Sequence, residues 1–236
     1  MTTRLFLDDS YLTTTDATVV ATDPGTVVLD RTPFYARSGG QPGDRGTLAW
    51  DGGRLDVTEA VKGDGETIRH LVADGPLPAP GTRVTASIDW ATRHRLMRMH
   101  TALHLLCSLL PGQSVTGGQI GADRSRLDLD LPEPPTKEAL EAGFAALIAA
   151  GHPISTEWVD ESVLDTNPTL VRTLSVKPPR GTGRLRLVRI GAAPVDLQPC
   201  GGTHVRSTAE IGGISVVKIE NKGRQNRRIA LALVEA

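Results

Sequence analysis

The first 88 residues alternate apolar and polar positions in short runs. Arg4–Asp8, Ala17–Thr22, Thr26–Asp30, Arg54–Val61, Thr67–Val72 and Thr82–Asp89 are rich in valine, leucine and threonine and are separated by Gly, Asp and Pro clusters. Two-residue alternation of this kind reads as strands. Several short strands at such spacing predict a small β-barrel or sandwich. Pro33–Asp44, PFYARSGGQPGD, breaks the pattern because it is too rich in small residues for regular structure. Its glycines suit a connecting loop and equally a backbone wall that approaches a ligand closely.

Near Asp89 the period changes. Asp89 is placed to N-cap a helix from Trp90 to about Leu110, stopped by Pro111–Gly112. Val115–Ile120 and Arg124–Leu131 then predict a hairpin, with Leu127, Leu129 and Leu131 alternating against Asp128 and Asp130. Thr136 caps a second expected helix, Lys137–Ala150, whose Leu140, Phe144, Leu147 and Ile148 form one core stripe. Ile154–Val159 and Arg184–Ile190 read as strands, and Ile211–Glu220 with Arg227–Val234 as a final hairpin. Ser162–Ser175 suggests a short helix broken near Asn167–Pro168, and Lys177–Gly183 a basic loop. Strands interleaved with two long helices predict an α+β fold, an antiparallel sheet layered with helices behind an N-terminal small β-barrel. The expected domains are residues 1–88 and 89–236.

Composition narrows the class. A chain of 236 residues can bury a large core without staples. Two cysteines at no framework spacing argue for a reducing compartment. The N-terminus lacks a signal-type apolar core and no segment approaches membrane-spanning length, so a cytoplasmic protein is expected. The net charge of −1 conceals basic clusters at Arg93–Arg98 and Lys222–Arg228, a local face suited to RNA. Aromatic residues make up only 3%, which argues against stacking as the main mode of RNA binding.

The candidate chemistry lies in two distant pieces, MHTALHLLCSLL from Met99 and PCGGTHV from Pro199. His100 and His104 are four residues apart within the helical run, so both imidazoles leave one face. That makes half of a zinc site. Cys200 and His204 supply the other half, Cys200 as thiolate, with two glycines and a threonine letting the backbone curl around an ion. Imidazole and thiolate together favour zinc. Cys107, His70, His94 and His152 read as structural residues.

HTALHLL, CGGTH, the SGGQPGD segment and the tail KGRQNRRI closely resemble the freestanding alanyl-tRNA editing proteins, the AlaX group, and the editing domain of alanyl-tRNA synthetase. The resemblance spans essentially the whole chain. It implies an aminoacyl-tRNA deacylase that removes serine or glycine from mischarged tRNA(Ala), with one zinc ion per chain; the oligomeric state is left open, a monomer being favoured. His100, His104, Cys200 and His204 match the family's zinc ligands, and Ser38, Gly39, Gly40, Gln41 and Asp44 its glycine-rich motif. Lys222, Arg224, Arg227 and Arg228 match a basic stretch near the tRNA, to which charge adds Arg93, Arg95 and Arg98 as phosphate contacts. Leu103 stands where the synthetase domain usually has threonine. Thr116 or Gln119 takes the place of a glutamine in the pocket and is the expected reader of the serine hydroxyl, and Asp196 is a candidate partner for a ligand histidine. Two other readings share these parts: a threonyl-type editing module, and a zinc-stabilised RNA-binding domain without chemistry.

Overall fold

The computed structural model describes residues 1–173, 181, 183–223 and 225–234. The chain divides into two compact units, Met1–His94 and Arg95–Ala236.

The first unit is built from β1 (Thr3–Arg4), β2 (Thr14–Asp23), β3 (Thr26–Leu29), β4 (Arg31–Thr32), β5 (Gly46–Trp50), β6 (Gly53–Lys62), β7 (Ile68–Val72) and β8 (Arg83–Ile88). Six of these close a barrel in the order β2-β3-β7-β6-β5-β8. Val27, Leu29, Leu48, Ala60 and Ala86 are fully buried in its core, each contributed by the inward half of an alternating strand. β2 and β6 each carry a bulge, at Val19/Ala21 and Val57/Glu59, which bends the strand toward closure.

Two details differ from the sequence expectation. Arg4–Asp8 is not a strand: only Thr3–Arg4 pairs, with β4, and Leu5–Leu7 turns into a 3-10 helix that buries Phe6. β5 was not legible, because it begins at a glycine and has few β-branched residues. Its reason is tertiary. A Cβ on Gly46 would lie 2.1 Å from the Ser87 carbonyl oxygen, so only glycine lets β5 and β8 pair this closely.

The Pro33–Asp44 segment is irregular, as expected, and the barrel accounts for its glycines. Ser38 and Gln41 exchange backbone hydrogen bonds (3.1 and 2.9 Å) around Gly39 and Gly40, whose φ values of 56° and 82° are those of a tight two-residue turn. Gly43 approaches β6 so closely that a Cβ would meet the Ala60 carbonyl oxygen at 1.9 Å. The segment ends at buried Asp44. This carboxylate accepts from Tyr35 N (2.6 Å) and from the guanidinium of Arg93, whose remaining donors reach Ser10 O (2.8 Å) and Pro33 O (2.7 Å).

α1 (Trp90–Leu109) starts at Asp89, whose carboxylate accepts from Thr92 N at 3.1 Å and caps the helix. Every residue from Met99 to Cys107 is buried, so this part is a core helix rather than an amphipathic one. The second unit continues with β9 (Ser114–Gln119), β10 (Arg124–Asp130), α2 (Lys137–Ala149), β11 (Ile154–Asp160), α3 (Val163–Thr166), β12 (Arg184–Ile190), β13 (Asp196–Pro199), β14 (Gly213–Asn221) and β15 (Asn226–Val234). They form two antiparallel sheets, ordered β14-β15-β10-β9 and β11-β12-β13. α2, capped by Thr136 Oγ1 accepting from Ala139 N, packs on β14 through its buried Leu140, Phe144 and Ile148. The whole is an α+β fold. β13, like β5, was not foreseen: four residues containing a proline give no strand period.

Candidate metal centre

α1 delivers His100 and His104 from one face, and the loop after β13 delivers Cys200 and His204. The ligand atoms of all four lie within 4.8 Å of one another. Cys200 Sγ is 3.5 Å from His100 Nε2 and 3.4 Å from His204 Nε2. The three imidazoles are buried and Cys200 is half-buried.

The far side of two of these rings is held by a specific partner. His104 Nδ1–H donates to Asp196 Oδ2 at 2.8 Å, which leaves Nε2 as its ligand atom. Gln198 Nε2 donates to the same carboxylate oxygen at 2.8 Å. Thr101 donates its hydroxyl to Met97 O (2.9 Å), so its oxygen accepts from His204 Nδ1–H at 3.1 Å. Both tautomers therefore point Nε2 at the common centre. Thr101 and Gln198 escaped the sequence reading. The signal for Thr101 was its place one residue after His100, between the two ligands of the helix, and for Gln198 its two-residue spacing from Asp196, which puts both on one strand face.

The Cys-Gly-Gly-Thr-His loop is shaped by Arg186 on β12. Its Nη1 donates to the carbonyls of Cys200 (2.9 Å) and Gly202 (3.0 Å), while Cys200 N donates back to Arg186 O (3.1 Å). Gly202 N lies 3.3 Å from Cys200 Sγ and donates to it. Beyond His204 the chain is pinned by a capping box, Ser207 accepting from Ala209 N and Glu210 from Arg206 N and Ser207 N.

The electrostatics suit a cation. Burial would raise the Cys200 thiol, but the neighbouring His100 and His204 hold it well below its ordinary value, favouring thiolate. Burial and then the adjacent His100 push His204 down, toward the neutral form that ligates. Burial opposes a charged His104, but its bond to Asp196 and the Cys200 thiolate outweigh that and raise it to about 10, so a metal taking Nε2 displaces a proton from this ring. A cysteine and three histidines with these partners are a donor set able to hold a metal ion. Cys107 lies outside the cluster. It is buried, and burial with Asp196 nearby pushes its thiol up to about 12, an inert core residue.

The remaining candidates separate. Thr116, half-buried on β9, accepts from Asn226 Nδ2 at 3.0 Å, while Gln119 is exposed and accepts from Arg126 at 3.3 Å. β9 is tied toward α1 by Val115 N donating to Arg172 O (2.8 Å) and Arg172 to Cys107 O (3.4 Å). Ser38, Gly39, Gly40, Gln41 and Asp44 belong to the barrel unit, with Gln41 fully buried.

Among the basic residues, Arg93 corrects the sequence reading. It is fully buried against Asp44 and has no surface to offer a phosphate. Arg95 pairs with Asp123 (3.1 Å), and Arg98 donates twice to Ile211 O (3.0 and 2.8 Å). Arg227 donates to Pro132 O (2.8 Å). Arg228 forms a two-point bridge to Asp128 (2.7 and 2.8 Å), its register partner across β10 and β15. Lys222 is exposed, 3.9 Å from Glu220. Arg224 lies outside the described residues, as does most of the Lys177–Gly183 loop. Among the described residues no helix is long and apolar enough to cross a membrane.

Residues 185–230 match the family described as threonyl and alanyl tRNA synthetase second additional domain, and residues 8–92 match tRNA synthetases class II (A). The chain is 35% identical to the alanyl-tRNA editing protein AlaX-M of Methanosarcina mazei, covering 100% of this chain and 98% of that protein. It is 32% identical to the AlaX-M of Saccharolobus solfataricus, over 97% of this chain and 98% of that one. An alanine–tRNA ligase of Pyrobaculum arsenaticum is 36% identical over 93% of this chain, which spans 25% of the ligase. With full-length likeness to freestanding editing proteins and a four-ligand cluster built on the two strings that carry the resemblance, the chain belongs to the AlaX-M family of alanyl-tRNA editing proteins.

Proposed function

We propose that this protein deacylates mischarged tRNA(Ala), releasing serine and, as a second substrate, glycine, at a zinc ion held by His100, His104, Cys200 and His204. The observation that carries the reading is the convergence of those four ligand atoms within 4.8 Å in a chain aligned end to end with editing proteins. Cysteine and histidine together favour zinc over harder cations. Bound there, zinc supplies Lewis acidity toward an ester carbonyl or a water.

The protein's own part is orientation and discrimination. Asp196 and Thr101 fix two rings, and Arg186 fixes the loop that carries the other two ligands. Serine exceeds alanine by one hydroxyl, and a pocket built to hydrogen-bond that hydroxyl rejects alanine because its polar groups would be left unpaired. Thr116 is the better candidate reader, since Asn226 holds its oxygen in place while Gln119 is exposed. Tilting the tRNA into place falls to Arg95, Arg98, Lys222, Arg227 and Arg228 together with Arg224. A cytoplasmic setting fits this reading.

A second reading draws on the ligand count: four protein donors fill a tetrahedral shell, the mark of a structural site, which a metal-stabilised RNA-binding domain would also have. A deacylation assay decides. Release of serine from Ser-tRNA(Ala) but not from Ser-tRNA(Thr), lost with zinc in Cys200→Ala, supports the proposal. Stoichiometric tRNA binding without release supports the second reading, and release from Ser-tRNA(Thr) alone supports a threonyl-type module.

A further inference from the structure

The register of the second unit's three-stranded sheet places three residues in one row. Trp158 on β11 is the cross-strand partner of Arg186 on β12. Arg186 in turn faces Cys200, the residue after β13, with Cys200 N donating to Arg186 O. Residues directly opposite in antiparallel strands point their side chains to the same face. Farther along, that face carries the Asp196 and Gln198 side chains that brace His104, across from Ile190 and Val188. Two strand spacings, about 10 Å, separate the Trp158 backbone from that of the metal ligand Cys200.

Trp158 does not behave as a core residue. Its surface is 40% exposed, the only large aromatic side chain among the exposed apolar residues described. The Arg184 guanidinium sits over its ring, 5.7 Å from the centroid. The opposite face of the sheet is covered: Leu185, Leu187, Val159 and Leu197 pack with Leu164 and Leu170. Trp158 therefore stands at the solvent-exposed end of the row that holds the metal ligand Cys200, with a cation over its ring. An indole backed by a guanidinium binds a nucleobase by stacking, and the arginine adds attraction for the phosphate beside that base.

Resting on the function proposed above, we infer that Trp158, backed by Arg184, is the stacking platform for the nucleobase at the 3′ end of the RNA whose ester is presented at the metal centre. The platform reads no sequence, since every base has a π-face. It sets how far the terminal nucleotide enters and thereby where its ester lies.

The test measures binding of the full chain to uncharged tRNA(Ala) transcripts ending in CCA or truncated to CC, for wild type, Trp158→Ala and Trp158→Phe. Removing the terminal adenosine should weaken wild-type binding by about tenfold, the scale of one stacked base. Trp158→Ala should weaken the CCA transcript by a similar factor and show no further loss on truncation, and Trp158→Phe should keep most of the difference. Unchanged melting temperature and metal content in the variants tie the effect to the ring. Additive losses, with the terminal adenosine worth as much to Trp158→Ala as to wild type, overturn the inference alone. Failure of wild type to release serine from Ser-tRNA(Ala) in the deacylation assay overturns the functional reading and this inference with it, while release of serine with equal binding of the CCA and CC transcripts overturns the inference alone.

Discussion

Asp196 Oδ2 stands 2.8 Å from His104 Nδ1, joining a buried carboxylate at the start of β13 to an imidazole 92 residues earlier on α1. One hydrogen bond thus fixes the ring's tautomer, its rotation and its basicity, and couples the helix half of the metal centre to the sheet half.

Replacing that carboxylate should weaken the centre without removing a ligand. Asp196→Asn is expected to lower metal affinity by about 10- to 100-fold, the usual cost of losing a partner behind a metal-bound histidine. Chelator competition measures it. An affinity equal to wild type would show that His104 needs no orienting anion.

Arg186 should act through the loop it grips. Arg186→Ala frees the Cys200 and Gly202 carbonyls, so Cys200 and His204 lose their fixed separation. Metal affinity should fall by about tenfold or more, with Arg186→Lys intermediate because an ammonium is a point donor without the planar fork. The absorption of the cobalt-loaded protein is a second readout. A thiolate-to-cobalt band of unchanged position and intensity in Arg186→Ala would contradict the role.

Arg93→Ala should cost stability rather than tRNA affinity. It strands Asp44 as a buried, uncompensated charge, which destabilises by about 3–5 kcal/mol. Urea unfolding checks the first half and tRNA binding of the remaining folded protein the second. A loss of RNA affinity at full stability would return Arg93 to the surface set.

His70 gives the barrel an acid-sensitive point. Its Nδ1–H donates to Val27 O (3.0 Å) and its Nε2 accepts from Thr32 (2.8 Å), so the neutral ring satisfies both nitrogens. Burial lowers it from 6.5 to about 4. A group whose folded value is lowered contributes stability that is present above pH 6.5 and is lost as pH falls toward 4, here about 3 kcal/mol in all. Unfolding free energy measured across that window should decline in wild type and stay flatter in His70→Gln. Equal slopes in the two proteins would exclude His70 as the cause.

Period-two and period-3.6 patterning by themselves marked most barrel strands, both long helices, the hairpins and the α+β class. These signals are local: each strand shows one face to a core and each helix carries its own cap, as Asp89 and Thr136 do. The ligands His100 and His104 were legible for the same reason, four residues apart on one helix. Tertiary structure alone decided what depends on residues far apart in sequence. It turned Arg93 from a candidate phosphate contact into the buried partner of Asp44, made Gly43 and Gly46 necessary through the backbones of Ala60 and Ser87, and formed β13 although no pattern announced it. It also put Arg186 and Trp158 in register with Cys200, because strand pairing is set by hydrogen bonds between chains of residues that the linear order keeps apart.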